Sequence, residues 1–253
     1  IWHVSEIHVK TIRRLLSIKF KCNKAKLRLP FCELRNYIKE HYAEIRHSTY
    51  GNVYNNWFRQ NRCTSEGGNS ISKGPFVSLV CPLYKTPPNF LYKMIYSVVI
   101  QTYKNFELIL VNCSPTDEGI KSILSMFNDY RIKVIEHPKN EGIASNTNIG
   151  IAASNGKYVG FIDHDDFIEP TLLSRYVEAI LDNDNIDLLY CDEDSYTEEG
   201  IHRLPIYKPD FNLDLLYSNN YICHLLMVSR RILNMTDRSG NDVSGAQDYD
   251  LSL

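Results

Sequence analysis

Tyr158-Val159-Gly160-Phe161-Ile162-Asp163-His164-Asp165-Asp166 joins a short β-prone run to three carboxylates crowded into four residues. The run follows Gly156-Lys157 and reads as a buried strand. The acidic turn then falls at the strand's C-terminal end, the edge of an open α/β sheet where ligands bind. Asp163 and Asp165 are two positions apart, so in extended backbone their side chains project the same way. Oxygen ligands so placed suit a hard divalent cation, Mg²⁺ or Mn²⁺, shared with substrate phosphates. A solvated turn is the other reading of these residues. A calcium loop of the EF-hand type does not fit, because its fifth position would be Phe167 and its glycine position Ile168.

Outward from this stretch the chain alternates. Residues 76–80, 106–111, 132–136, 158–162 and 186–190 read as strands. Residues 90–100, 120–127, 142–153 and 171–181 read as helices, the first with Leu91, Met94, Ile95, Val98 and Val99 on one face. Such βαβα order implies an α/β fold, a mostly parallel sheet with helices on both faces. Upstream, residues 1–62 read as mostly helical and basic, and the aromatic run Tyr54-Asn55-Asn56-Trp57-Phe58 is expected to pack on the main domain. Thr64-Ser65-Glu66-Gly67-Gly68-Asn69-Ser70 has linker composition. The expected division is a basic helical extension over 1–74 and an α/β domain over 75–253, cut short at its C-terminal end.

Composition narrows the class. With 43% hydrophobic and 23% charged residues in 253, the chain can build a sizeable core. No run of 18 apolar residues occurs, which excludes a spanning helix. The seven cysteines include no CxxC pair, so neither a zinc site nor a disulfide framework is indicated, and a reducing cytoplasm is the expected location. Residues 1–74 hold 14 Lys and Arg against 5 Asp and Glu, a net of +9, while the remainder carries −11. Solvated surface is one reading of that basic segment. Contact with anionic lipid at the inner face of the membrane is another. Nucleic acid is not an expected partner, since no binding motif accompanies the charge.

Phosphate cradles of the GxGxxG and GxxxxGK[ST] types are absent. The other polar motifs fall at strand ends. Cys81-Pro82-Leu83-Tyr84-Lys85-Thr86-Pro87-Pro88 closes the first strand and Val111-Asn112-Cys113-Ser114-Pro115-Thr116-Asp117 the second. Each reads as a β-to-α turn or as the wall of a nucleotide crevice. Asn140-Glu141-Gly142-Ile143-Ala144-Ser145-Asn146-Thr147-Asn148 opens a helix with three Asn, a costly choice for propensity. Capping is one explanation; helix N–H groups and amides facing a diphosphate or sugar is the other.

In this order, with Val77-Ser78-Leu79-Val80, Ser97-Val98-Val99-Ile100-Gln101-Thr102-Tyr103, Phe106-Glu107-Leu108-Ile109-Leu110-Val111 and Gly245-Ala246-Gln247-Asp248-Tyr249-Asp250-Leu251, the motifs resemble family 2 glycosyltransferases of the GT-A, Rossmann-like fold. Tyr207-Lys208-Pro209-Asp210 and Asn220-Tyr221-Ile222-Cys223-His224-Leu225-Leu226 are similar to the rhamnosyltransferase-like subgroup of O-antigen and polysaccharide assembly. The resemblance implies an inverting, metal-dependent transferase moving a sugar, rhamnose among the options, from a UDP- or dTDP-type donor to a glycan or lipid-linked acceptor. It implies donor binding by Pro82, Tyr84, Asn112, Asn140, Gly142, Asn146 and Asp163, metal binding by Asp165 with Asp163, and Asp248 as general base. Asn112 stands where the family often has an aspartate, and Gln247 replaces the usual glutamate. Asp192, Glu193, Asp194 and His224 are weaker candidates for acceptor binding, a solvated turn and a structural histidine being the alternatives. A nucleotidyltransferase shares the metal and the sheet-edge carboxylates, and a non-catalytic scaffold of glycan assembly is the third reading.

Overall fold

The computed structural model describes residues 51–61, 71, 73–197, 199–223 and 225–235. The basic segment before residue 51, the linker at 64–70, His224 and Asp248 lie outside the described residues.

Strand β1 (Val77–Leu83) is buried along almost its whole length, and so is β2 (Phe106–Asn112). Both read as near-continuous apolar runs because helices cover both faces. Alternation divides their side chains. Val77, Leu79, Cys81 and Leu83, with Phe106, Leu108 and Leu110, join one core. Into it pack Leu91, Met94, Ile95 and Val98 of α2 (Pro88–Val99), Ile120 and Ile123 of α3 (Glu118–Met126), and Leu173, Tyr176, Val177 and Ile180 of α5 (Leu172–Asp182). Val80 joins Ile151 of α4 (Ile143–Ala153) on the opposite face, and Ile109 and Val111 meet Ile149 there.

The main sheet has six strands in the order β3-β2-β1-β4-β8-β5, with β3 spanning Ile132–Glu136, β4 Tyr158–Phe161, β5 Leu188–Leu189 and β8 Leu226–Ser229. β1, β2, β3 and β4 are parallel, as alternating helices require. The chain runs outward from β1 to β3 and then returns to the other side of β1 as β4. This reversal makes a topological switch point between β1 and β4, and it is outside the carboxyl ends of strands at such a point that open α/β sheets bind ligands. One expectation needs refinement: the fifth strand is two residues long and does not border β4. β8 lies between them, antiparallel to both. The remaining elements are a hairpin of β6 (Glu193–Tyr196) and β7 (His202–Ile206), the short helices α6 (Leu213–Ser218) and α7 (Arg230–Leu233), and α1 (Gly51–Asn61).

α4 can approach the sheet only because of Gly150. A β-carbon there would stand 2.3 Å from Val80 Cγ1 and 3.2 Å from Val111 Cγ2. Gly150→Ala is therefore expected to destabilise the domain by about 1–3 kcal/mol through overpacking, despite alanine's better helix propensity. Urea denaturation of the variant measures the loss.

Candidate active site

The edge of the sheet at the switch point is formed by four loop segments. After β1, Pro82 is half-buried and Tyr84 is 42% exposed. Lys85 follows with φ 49°, a left-handed backbone that a non-glycine residue seldom adopts. The Lys85 N–H donates to Ser114 Oγ at 3.0 Å, which ties the β1 loop to the β2 loop.

Asn112 ends β2 opposite Leu83 and is fully buried. Its Oδ1 accepts from the Ser114 N–H at 3.0 Å. That bond orients the amide, since only the oxygen can accept. Nδ2 is left buried with no partner, and so is Thr86 Oγ1 in the neighbouring loop. Buried polar groups are nearly always satisfied, so two orphans at the same ends of adjacent strands mark a place where a ligand or water belongs.

The loop into α4 is organised by its own side chains. Asn146 is buried; its Nδ2 donates to Asn140 Oδ1 at 2.8 Å, and its Oδ1 accepts from the Glu141 N–H at 3.3 Å. Asn140 Oδ1 also accepts from the Gly142 N–H. The asparagines expected to touch ligand thus first hold one another, with Asn146 inside and Asn140 at the surface. Gly142 adopts φ 92°, and no side chain caps α4, so the helix presents its N-terminal dipole at the loop.

The acidic turn follows β4. The Asp166 N–H bonds to the Asp163 carbonyl at 3.3 Å, closing the turn. Asp163 is half-buried, whereas the Asp165 side chain is 58% exposed, with His164 Nδ1 3.9 Å from its Oδ1. Their charge reaches β1: burial pushes the Cys81 thiol well above its ordinary pKa, and the negative charges of Asp163, Asp165 and Asp166 push it further. Among the described residues no group of three or more His, Cys, Asp or Glu is placed to hold a metal ion by itself. An all-carboxylate donor set of this size fits Mg²⁺ or Mn²⁺, which take few protein ligands and complete their shell with phosphate oxygens and water.

Asp192, Glu193 and Asp194 enter the hairpin rather than a free turn. Asp194 Oδ2 accepts from the Tyr54 hydroxyl at 2.7 Å and lies 2.9 Å from His202 Nδ1. Burial first, then this bond, raise the Tyr54 pKa. The Phe58 ring stacks on His202 at 3.8 Å, and the His202 N–H donates to Asn55 Oδ1. The aromatic run of α1 therefore does pack on the main domain, as expected, and Asp194 is engaged in holding it. Glu193 pairs with Lys208 at 3.0 Å, and Asp192 accepts from the Lys208 N–H. Sequence reading missed Thr86 and His202. Thr86 lies in the turn after the first strand with nothing local to distinguish it, and nothing local marks His202, because its partners come from α1 and β6.

The family model described as glycosyl transferase family 2 matches residues 78–235. O-antigen biosynthesis protein RfbC of Myxococcus xanthus is 34% identical over 72% of this chain and 14% of its own length. Solved structures of similar fold include S. aureus TarS 1-349 in complex with UDP (TM-score 0.56, 18% identity, 70% of this chain and 53% of that one). A second is the mannosyltransferase PcManGT of Pyrobaculum calidifontis in complex with GDP-Man and Mn²⁺ (TM-score 0.53, 16% identity, 81% and 59%). The chain spans less than a quarter of the first curated relatives it matches. No helix among the described residues is long and apolar enough to cross a membrane.

Proposed function

The chain belongs to glycosyl transferase family 2, and we propose that residues 75–253 are a GT-A domain that transfers a sugar from a nucleoside diphosphate to a glycan or lipid-linked acceptor in polysaccharide assembly. The observation that carries this reading is the acidic turn at the β1/β4 switch point, at the same edge of the sheet as the orphaned Thr86 Oγ1 and Asn112 Nδ2. Similarity to an O-antigen biosynthesis protein and a likeness of fold to UDP- and GDP-Man-bound transferases support it.

In this proposal Pro82 and Tyr84 border the base and ribose. The orphaned Asn112 Nδ2 donates to a carbonyl oxygen of a uracil or thymine edge, which favours a UDP or dTDP donor. Asn140, positioned by Asn146, and the Gly142 end of α4 approach the diphosphate or sugar. Asp163 faces the ribose and shares with Asp165 the binding of Mn²⁺ or Mg²⁺. Such an ion, when bound, offsets the charge of the departing diphosphate as a Lewis acid. The acceptor hydroxyl oxygen bonds to the anomeric carbon as the bond from that carbon to the phosphate oxygen breaks, the electron pair leaving with the diphosphate. Asp248 takes the hydroxyl proton. One displacement of this kind inverts the anomeric centre, and rhamnose is the first sugar to test. The basic extension over 1–74 would hold the enzyme at the inner face of the membrane.

Replacing Asn112 by Ala is expected to weaken UDP or dTDP binding about tenfold, the equivalent of 1.4 kcal/mol, as titration calorimetry would measure. Product analysis tests the reaction class. With dTDP-rhamnose and UDP-sugars, each with Mn²⁺, release of nucleoside diphosphate is expected. Release of pyrophosphate would contradict the proposal in favour of nucleotidyl transfer. Absence of both, from a chain that binds nucleotide, would leave a scaffold.

A further inference from the structure

A cavity of about 760 Å³ opens on the far side of the acidic turn, between that turn, α5, the β6–β7 hairpin and α1. Its size suits a small-ligand site, for which about 300–1,000 Å³ is usual. Asp165 and Asp166 line it, so it adjoins the acidic turn that the transferase reading puts at the reacting centre. From this juxtaposition we infer that the cavity holds the acceptor and that α1, which precedes the segment matched by the family model, supplies an aromatic platform for an uncharged sugar ring. The inference rests on the transferase reading and specifies its acceptor.

Three observations carry it. First, the wall is aromatic where it is open: Trp57 is 51% exposed and Tyr196 41%. Phe167 lies edge-on to Tyr196 at 5.0 Å. A pyranose has one apolar C–H face that stacks on such rings and a rim of hydroxyls that donate to carboxylates. Second, α1 is fixed in place. The bonds of Tyr54 to Asp194 and of His202 to Asn55, with the Phe58–His202 stack, hold it to the hairpin. Trp57 is therefore presented from a rigid element, which favours binding by limiting the ordering cost. Third, the described lining carries six carboxylates, Asp165, Asp192 and Glu193 among them, and Arg175 as its one Lys or Arg. Lys208 pairs with Glu193 and His202 lies against Asp194, while Lys93 sits over the Tyr196 ring at the rim. Such a field accepts hydroxyl donors and repels a uronate or phosphorylated sugar.

The test uses the whole chain on an array of immobilised oligosaccharides of matched length, neutral ones (gluco- and rhamno-oligosaccharides) beside uronate-containing ones, with UDP and Mn²⁺ present. Neutral saccharides are expected to be retained and uronate-containing ones to bind at least about tenfold more weakly. Trp57→Ala should lower neutral binding about tenfold, and Trp57→Tyr should restore most of it. Trp57 stacks on Tyr54 at 6.0 Å, so Trp57→Ala can lower the thermal midpoint, but the added stabilisation by UDP with Mn²⁺ should be unchanged in both variants. Binding unaffected by Trp57→Ala, equal or tighter binding of uronates, or no saccharide bound by a chain that binds UDP would each overturn the inference. Saccharide binding that depends on Trp57 in a chain that UDP never stabilises would instead contradict the nucleotide-sugar reading while the cavity assignment stood.

Discussion

Asp165→Ala is expected to reduce sugar transfer by at least about a hundredfold, the scale on which one electrostatic stabiliser of a developing anion acts. The fold should not respond. The Asp165 side chain is 58% exposed, and His164 Nδ1 stands 3.9 Å from its Oδ1. Surface changes of this kind usually alter stability by less than about 0.5 kcal/mol. Stability is expected to rise if anything, since three carboxylates stand within four residues and repel. Steady-state rates at increasing Mn²⁺, with the thermal midpoint as control, separate the cases. A variant that regains full rate at high Mn²⁺ has lost affinity for the ion; one that stays slow has lost the geometry of the site.

Glu107→Ala should have a large effect on folding, at the opposite end of the sheet. Glu107 is buried on β2. Its Oε1 accepts from Ser78 Oγ at 2.6 Å and from the Asn155 N–H at 2.7 Å, and its Oε2 from Lys133 Nζ at 2.5 Å. One carboxylate thus ties β1, β2, β3 and the loop before β4. Removing it leaves the Ser78 O–H without an acceptor, although its oxygen keeps the Gly156 N–H, and frees the Asn155 N–H, at a cost of about 2 kcal/mol once the half-exposed Lys133 is discounted for solvent screening. Each kcal/mol lowers the midpoint by roughly 2–4 °C in a domain of this size.

The pH dependence has a definite sign. Burial alone would raise the Glu107 pKa, but the bonds from Lys133, Ser78 and Asn155, with the Lys133 charge, outweigh it and hold the pKa below the ordinary value. The unfolded chain therefore binds the proton first as pH falls. The contribution is present in full above the ordinary glutamate pKa of about 4.3 and is lost as pH drops through the folded value. Denaturation between neutral pH and pH 3 should show that loss in the wild type, and Glu107→Gln should lack this component.

Much of the fold was legible because β1 and β2 are apolar on both faces and the helices between them carry one-sided stripes. Both features are local. The acidic turn was legible for the same reason, as charge placed abruptly after an apolar run. What could not be read depends on distant partners. β8 is four residues, Leu226–Ser229, and only pairing with β4 and β5 makes it a strand. The β6 sequence Glu-Asp-Ser-Tyr has no apolar alternation; the hairpin is held by Tyr54, 140 residues away. The orphaned Asn112 nitrogen follows from a backbone N–H two residues on, which sequence shows only as Asn-Cys-Ser. Likewise the three Asn near α4 could not be sorted until Asn146 was seen to lie inside.

The central claim is a metal-dependent nucleotide-sugar site at the acidic turn. Thermal denaturation of the chain and of Asp165→Ala with UDP, dTDP, GDP and CDP, each with and without Mn²⁺, tests it most directly. A ligand at a hundred times its Kd stabilises the native state by about 2.7 kcal/mol, a shift of several degrees. UDP or dTDP should give that shift in the wild type with Mn²⁺ present, and neither should give it in Asp165→Ala. No shift with any nucleotide from a well-folded sample, or a shift indifferent to both Mn²⁺ and Asp165, would contradict the account.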